Sequence, residues 1–314
     1  MKTYRNCLPQ LSHSMFLTDG GLETTLIFHE ELELPYFAAF DLLKDPSGLD
    51  ILKKYYRRYA DIAKKHGTGF ILESATWRAN PDWASKLGYS KKGLATMNQK
   101  AIQLLSEIRD EYENDNIPIV ISGCLGPRGD GYNPADSMST HEAEAYHHQQ
   151  IEVFSQTTTD MITATTMTNV EEATGISQAA KSLEMPVVIS FTVETDGNLP
   201  TGQPLKEAII DIDSVTNQYP AYYMLNCAHP SHFRSTVTTD ENWTQRIRGI
   251  RANASDKSHA ELDEAPELDQ GNPLEFGNMH SDLSRSLHNL NVFGGCCGTD
   301  HRHIENICHA VLNL

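Results

Sequence analysis

Two adjacent cysteines, Cys296 and Cys297, stand in a glycine-rich turn directly after an apolar pair of residues. Neighbouring cysteines make a poor disulfide, because closing so small a ring distorts the peptide link between them. A chain with six cysteines in all has little reason to place two of them side by side. The pair is therefore either accidental or has a role that needs both sulfur atoms at one point.

The composition restricts the partners and the compartment of this 314-residue chain. Asp and Glu number 42 against 25 Lys and Arg, so the formal net charge is −17. An acidic surface repels phosphate backbones, and we expect no nucleic-acid partner. No secretory signal or membrane-spanning run is visible, so we expect a cytoplasmic protein with no membrane partner. In a reducing compartment, cysteines are expected to be free, catalytic or metal-bound.

Eight short apolar runs predict eight strands, with longer helical patterns between them. Their nearly continuous apolar character is typical of strands buried on both faces, as in a parallel sheet. The acidic segment Asp256–Gly271 is expected to be a surface insertion. The predicted strands are Met15–Thr18, Gly69–Leu72, Ile117–Ser122, Met161–Ala164, Pro186–Phe191, Tyr222–Leu225, Gly249–Ala252 and Asn291–Phe293.

Amphipathic segments follow these strands. Leu49–His66 has apolar residues at helical spacing, and Ser139-Thr-His-Glu142 opens another helix as a capping box. Further helices are predicted at Asn169–Leu183 and His301–Leu314. Eight strand–helix repeats predict an α/β fold, a (β/α)8 TIM barrel that fills residues 1–314 as a single domain. A doubly wound sheet is the alternative, but the glycine fingerprint normal for that fold does not follow the first strand.

The chemistry of such a barrel collects at the carboxyl ends of its strands. Cys227 follows the sixth predicted strand, and the pair Cys296–Cys297 follows the eighth. These ends lie two strands apart in the ring, so three sulfur atoms can meet at one ion. Three thiolates with one open position suit a zinc ion that also binds a substrate. The alternative is that these are unrelated core thiols, since the compact C-x-x-C spacing is absent.

The glycines and the remaining cysteines have simpler expected roles. Gly294, Gly295 and Gly298 should adopt backbone conformations closed to other residues, so that both neighbouring side chains turn toward the metal. Cys308 falls on the last helix, where we expect a small buried hydrophobe. Cys124 ends the third strand and stays open as a bystander near the site, whereas Cys7 precedes the first strand.

Three segments stand out together: Asp19-Gly-Gly-Leu22, Asn226-Cys227, and Gly294-Gly-Cys-Cys-Gly-Thr299 followed by His303. They resemble the signature segments of the homocysteine S-methyltransferases, and similar stretches cover nearly the whole chain in order. The resemblance implies a (β/α)8 barrel with zinc bound by Cys227, Cys296 and Cys297. It also implies that Asp19 binds the amino group of homocysteine, although capping of the next turn is an alternative for this carboxylate. We assign Gly20 and Asn226 to the substrate site with it.

The chemistry that the resemblance implies is methyl transfer to a thiol. A free thiol, with a pKa near ~8.5, is mostly protonated at neutral pH, and zinc removes that proton. We expect a cationic methyl donor, S-methylmethionine or S-adenosylmethionine, and homocysteine as the acceptor that becomes methionine. Trp77 and Phe37 offer aromatic faces to such a cation, although aromatic residues in barrel loops more often pack. The expected partners are therefore small molecules, and the oligomeric state stays open.

One position departs from the family. The family usually has a glutamate at the end of the fourth strand that pairs with the substrate ammonium, and Thr165 stands there in this chain. Losing that pair costs on the order of 1–3 kcal/mol. The thiol is therefore either homocysteine held differently or a thiol with another polar end. Arg78, where the family tends toward glutamine, is expected to reshape the same pocket.

Three histidines near these segments are expected to be structural. Three cysteines and a substrate complete a tetrahedron around zinc, which leaves no place for His280, His301 or His303. The last two should open the final helix. Two other functions stay open: a barrel enzyme that uses zinc as a Lewis acid on an oxygen substrate, and a non-catalytic module whose zinc has a fourth protein ligand.

Overall fold

Eight parallel strands form the centre of the protein, for which a computed structural model describes residues 4–131, 137–263 and 267–313. The strands close into a barrel in sequence order, because β1 pairs with both β2 and β8. The predicted (β/α)8 barrel is confirmed. The strands are β1 (Phe16–Leu17), β2 (Gly69–Glu73), β3 (Ile119–Leu125), β4 (Met161–Met167), β5 (Val187–Phe191), β6 (Tyr222–Asn226), β7 (Ile247–Ala252) and β8 (Val292–Gly295).

All eight predicted strands are present, but several continue past their predicted carboxyl ends. β3 ends at Leu125, β4 at Met167 and β8 at Gly295. The predictions stopped where polar residues and glycines interrupt the apolar pattern. Inside a barrel these residues stay in the sheet, because the backbone ladder continues on both sides of each strand.

Helices surround the barrel, and their ends follow ordinary capping rules. In α2, Asp45 accepts a hydrogen bond from the Gly48 amide at 2.9 Å, and Gly67 ends the helix with a left-handed φ of 67°. Within the described part of the chain, no helix is both long enough and apolar enough to span a bilayer. The helices are α1 (Leu22–Thr24), α2 (Pro46–His66), α3 (Pro81–Lys86), α4 (Lys91–Tyr112), α5 (Thr140–Ser155), α6 (Val170–Ser182), α7 (Leu205–Thr216), α8 (Pro230–Val237), α9 (His259–Asp263), α10 (Pro273–Ser286) and α11 (His301–Leu312).

The predicted helices are confirmed with small changes at their ends. The capping box at Ser139 and Glu142 opens α5, and Asn169 caps α6 instead of belonging to it. The last helix ends at Leu312, and Leu314 of the prediction lies outside the described residues.

The barrel interior changes from apolar to polar along its axis. At one level, Phe16, Ile71, Val120, Met161 and further apolar residues pack together. Two residues further along each strand the same inward face carries polar groups, because side chains in a strand alternate between faces. Glu73, Ser122, Thr163, Ser190 and Arg251 occupy this level and are buried or nearly so. The polar level lies at the carboxyl ends of the strands, where a site is expected.

The acidic segment 256–271 is not a plain surface insertion, so that expectation is wrong for its two ends. His259 is buried, and its Nε2 donates a hydrogen bond to the Cys227 carbonyl at 2.6 Å. Near the other end, the Gln270 carbonyl accepts from Nε2 of His303 at 2.9 Å. Residues 264–266 lie outside the described residues. Composition alone indicated solvent exposure because it cannot show these two contacts with the rest of the protein.

Candidate active site

The carboxyl ends of β6 and β8 bring three sulfur atoms together. The Sγ atoms of Cys227, Cys296 and Cys297 all lie within 4.8 Å of one another. The first two sulfurs are in contact, and the Cα atoms of those cysteines are 5.4 Å apart. Thiolates on a tetrahedral zinc ion, with Zn–S distances of about 2.3 Å, lie about 3.8 Å from one another. The three side chains can therefore reach a common ion with small rotations.

Cys227 reaches this position through an uncommon backbone conformation. Its φ of 54° lies in the left-handed region, which residues other than glycine rarely adopt outside functional sites. Three hydrogen bonds hold it there. The Cys227 carbonyl accepts from His259 at 2.6 Å and from the Thr192 hydroxyl at 3.4 Å, and the Cys227 amide donates to the Arg251 carbonyl at 3.2 Å.

The glycines beside the cysteine pair are required mainly for close packing, and only one of them has the predicted backbone conformation. Gly298 has a positive φ of 78°, but Gly294 and Gly295 do not, so the predicted special conformation is wrong for these two. A Cβ atom at Gly294 would collide with the side chain of Thr18, and one at Gly295 would collide with that of Thr299. Both positions exclude a side chain because neighbouring elements pack against the β8 backbone.

Thr166 is a site residue that the sequence analysis missed. Its hydroxyl lies 3.8 Å from Sγ of Cys227, and its backbone is left-handed with a φ of 61°. The predicted substrate role of Asn226 stays a prediction. Within the protein, its carboxamide forms hydrogen bonds with Thr166 and accepts one from the Ser190 hydroxyl at 2.6 Å. The consecutive threonines after Ala164 were the available signal.

Asp19, two residues after β1, forms a buried ion pair. Its Oδ1 accepts from Nη2 of Arg251 at 2.6 Å, and its Oδ2 accepts from the Tyr55 hydroxyl at 2.9 Å. Burial raises the pKa of the Asp19 carboxyl, and the Arg251 charge and the Tyr55 hydrogen bond oppose that effect. Asp19 is not a helix cap, since α1 begins after Gly21 without a side-chain cap.

Gly20 lies next to this ion pair, and Thr165 contacts the end of β3. The Gly20 carbonyl accepts from the Tyr55 hydroxyl at 3.0 Å, and a Cβ at Gly20 would lie 2.7 Å from the Tyr59 hydroxyl. The Thr165 hydroxyl donates to the Leu125 carbonyl at 3.3 Å and lies 3.4 Å from Sγ of Cys124. Burial raises the pKa of the Cys124 thiol, and its sulfur is not part of the three-sulfur group.

Trp77 lies on the same side of Gly131 as Thr166, and Phe37 does not pack into the core. A Cβ atom placed on Gly131 would lie 3.2 Å both from Thr166 and from the Trp77 ring, so both side chains border the space above Gly131. The Arg78 guanidinium stacks between two indoles, 4.1 Å from the ring centres of Trp77 and Trp83. Phe37 is 55% exposed. Arg78 therefore helps to fix the position of the Trp77 ring.

The three histidines have the structural roles expected from the sequence. His301 is the first residue of α11, and Nδ1 of His303 accepts from the Asp300 amide at 3.0 Å as part of the cap. His280 is fully buried, and its Nδ1 donates to the Phe276 carbonyl at 2.8 Å. None of them joins the sulfur group.

Comparison with known proteins gives one consistent result. The sequence model of the homocysteine S-methyltransferase family matches residues 16–311. Homocysteine S-methyltransferase 1 of Brassica oleracea var. italica is 22% identical over 303 residues, covering 90% of this chain and 89% of that enzyme.

Solved structures agree on the fold. The homocysteine methyltransferase MmuM from Escherichia coli in its oxidized form superposes with a TM-score of 0.72 at 16% identity, covering 98% of this chain and 99% of that one. Its metallated form gives a TM-score of 0.71 at 15% identity, covering 95% of this chain and 96% of that one.

Proposed function

Because the chain belongs to the homocysteine S-methyltransferase family, we propose that it transfers a methyl group to the thiol of homocysteine and forms methionine. The observation that carries this proposal is the convergence of Cys227, Cys296 and Cys297 at the carboxyl ends of two strands. The proposed donor is a cationic methyl compound, S-methylmethionine or S-adenosylmethionine. We further propose that residues 1–314 form a single catalytic domain.

The proposed cofactor is zinc, and the chemistry of the donor set supports it. Three thiolates are soft ligands suited to Zn²⁺, and the sulfur atoms are close enough to share one ion. Among the described residues, the group contains no fourth histidine, cysteine, aspartate or glutamate, which favours a catalytic over a purely structural site. When bound, zinc would lower the pKa of a substrate thiol so that it is a thiolate at neutral pH.

The residues of the chain would position the two substrates around that thiolate. His259 and Thr192 hold the left-handed backbone of Cys227 in place, and its sulfur lies next to the cysteine that follows β8. Thr166 donates toward the Cys227 sulfur and so limits excess negative charge on it. Trp77 would offer an aromatic face to the cationic methyl donor, since its ring and Thr166 border the same space above Gly131. No general base is needed, since the attacking sulfur carries no proton.

Zinc stoichiometry measured together with methyl transfer tests this proposal. Each donor is combined with homocysteine, cysteine and a simple alkyl thiol. We expect one zinc ion per chain and formation of methionine, and loss of both in Cys297→Ser. Cys7→Ser is the matched control, since Cys7 is exposed and lies before β1, and it should behave like the native protein. Full activity of Cys297→Ser, or no transfer to any thiol by the zinc-loaded protein, would overturn the proposal.

A further inference from the structure

Two histidines and a glutamate meet where α2 and α11 pack side by side. His66 is the last residue of α2, and Glu305 and His309 lie one turn apart on α11. One ligand atom of each residue lies within 4.8 Å of the other two. Imidazole nitrogens and a carboxylate oxygen form a ligand set that suits zinc and other divalent transition metals.

The closed barrel brings these residues together from distant parts of the chain. α2 leads into β2 and α11 follows β8, and both strands pair with β1, so the two helices are neighbours around the barrel. Residues four apart on a helix share one face, which places Glu305 and His309 side by side. Gly67, with a left-handed φ of 67°, ends α2 directly after His66 and fixes the backbone of that histidine at the end of the helix.

The distances between the ligand atoms are close to those of a tetrahedral metal site. Nε2 of His66 lies 2.9 Å from Oε1 of Glu305, and Nε2 of His309 lies 3.2 Å from the same oxygen. Nitrogen and oxygen ligands at about 2.0–2.1 Å from a tetrahedral zinc ion lie about 3.3 Å from one another. Small shifts of the three side chains are therefore enough to place one ion between them.

The carboxylate oxygen between the histidines faces more partners than it can accept. Lys65 also places its ammonium group against Oε1 of Glu305, so three nitrogen atoms compete for one oxygen. An oxygen of a carboxylate has about two lone-pair sites. A divalent cation between the imidazoles and the carboxylate removes this competition, because each imidazole nitrogen then directs its own lone pair to the cation.

The cluster is partly buried and still open to an ion from solvent. The side chains of His66 and Glu305 are 12% and 24% exposed, and that of His309 is 58% exposed. Packing therefore restrains the first two ligands, while the side of His309 gives access to the ion and to water ligands. The formal net charge of −17 attracts cations to this surface.

We propose that His66, Glu305 and His309 form a second metal site, which binds Zn²⁺ or a similar divalent transition metal. The site lies near the amino ends of the strands, since His66 stands three residues before β2, whereas the cysteines lie at the carboxyl ends. The ion joins the end of α2 to the last helix and stabilises the folded chain. Three protein ligands with one of them exposed bind an ion more weakly than three thiolates, so protein dialysed into metal-free buffer keeps only the ion at the cysteines.

Calorimetric titration of the full chain with Zn²⁺ tests this inference. Protein loaded with zinc and then dialysed into metal-free buffer at pH 7.5 is titrated with the metal alone. We expect uptake of one further ion per chain and a higher urea midpoint when that ion is bound. Both effects should be lost in His309→Gln and in Glu305→Gln, with the ion at the cysteines retained. His288→Gln, at an exposed position outside the cluster, is the matched control.

Lys65→Gln distinguishes a metal ligand from a partner in surface ion pairs. Removing the ammonium group frees Oε1 of Glu305 and takes a positive charge away from the ion. We therefore expect the affinity for the second ion to increase several-fold. A network that served only to pair charges would lose a partner in this variant and would bind zinc no better than before.

Three results would overturn the inference: no second uptake by the native protein, a second uptake that persists unchanged in both His309→Gln and Glu305→Gln, or unchanged or weaker binding in Lys65→Gln. The inference does not depend on the proposed function. Cys297→Ser should still take up an ion at this site after it has lost the one at the cysteines, so failure of either proposal is seen separately.

Discussion

The carboxamide of Asn226 binds Thr166 at two points: Nδ2 donates to the Thr166 hydroxyl at 2.8 Å, and Oδ1 accepts from the Thr166 amide at 2.9 Å. Thr166 in turn lies 3.8 Å from Sγ of Cys227. Thr166 and Cys227 are both in the left-handed backbone region. One side chain on β6 therefore fixes the end of β4 and the environment of a sulfur atom at the same time.

Asn226→Asp should weaken metal binding while leaving the shape of the side chain almost unchanged. A carboxylate cannot donate to the Thr166 hydroxyl, and it adds negative charge next to the thiolates. We expect zinc affinity to fall about 10- to 100-fold, as for other partners that orient metal ligands. Chelator competition measures this directly. Asn289→Asp, on the outer surface, is the control, and equal zinc affinity in native protein and Asn226→Asp would show that Asn226 has no such role.

His259→Ala should loosen Cys227, because it removes the strongest hydrogen bond to the carbonyl of that cysteine, at 2.6 Å. We expect faster zinc release and at least a several-fold loss of zinc affinity, within the range known for residues that orient metal ligands. His259→Gln keeps a donor and should recover part of the effect. His288→Ala, at an exposed position, controls for loss of a histidine. Unchanged zinc release in His259→Ala would contradict the role.

The barrel and the three cysteines were predictable from the sequence because their signals are local. Each strand is a short apolar run, and each cysteine directly follows such a run or stands in a glycine-rich turn. The ring order of a (β/α)8 barrel then brings Cys227 and the Cys296–Cys297 pair close together without further information.

The partners of the site residues were not predictable because they depend on side chains far apart in the chain. Asp19 pairs with Arg251, 232 residues away, and Asn226 bonds Thr166, 60 residues away. One signal was present for Arg251: an arginine at an inward position of an apolar strand requires a buried acidic partner. The sequence does not identify that partner, so Asp19 was assigned to the substrate, with capping of the next turn as the alternative.

Gly294→Ala should destabilise the protein, because the new Cβ would collide with the Thr18 side chain inside the barrel. We expect a loss of about 1–3 kcal/mol in the free energy of unfolding, measured by urea denaturation. Thr18→Ala in the same chain removes the colliding atom and should recover part of the loss. Gly93→Ala in α4 is the control, and there we expect the free energy of unfolding to increase by up to about 1 kcal/mol. The new Cβ would make only ordinary van der Waals contacts, and alanine favours a helix more than glycine does. A stable Gly294→Ala would show that β8 can move away from β1.

His280 should make the stability of the protein decrease below neutral pH. Burial is the main cause that lowers the pKa of its imidazole from 6.5 to about 4; the hydrogen bond to the Phe276 carbonyl opposes it, and the nearby His229 and His303 contribute to the lowering. Between pH 6.5 and pH 4, the His280 imidazole is therefore protonated in the unfolded chain and neutral in the folded protein. Stability from this group is therefore complete above pH 6.5 and falls as the pH decreases toward 4, by on the order of 3 kcal/mol.

The difference between native protein and His280→Leu isolates this contribution, because all other titrating groups are shared. Urea denaturation at pH 7.5 and pH 4.5 should show a smaller loss of unfolding free energy in the variant than in the native protein. The Nε2 atom of His280 has no hydrogen-bond partner among the described residues, so leucine removes a single bond, the one to Phe276. Parallel stability curves for the two proteins across this pH range would mean that His280 accepts its proton in the folded state as easily as in the unfolded chain.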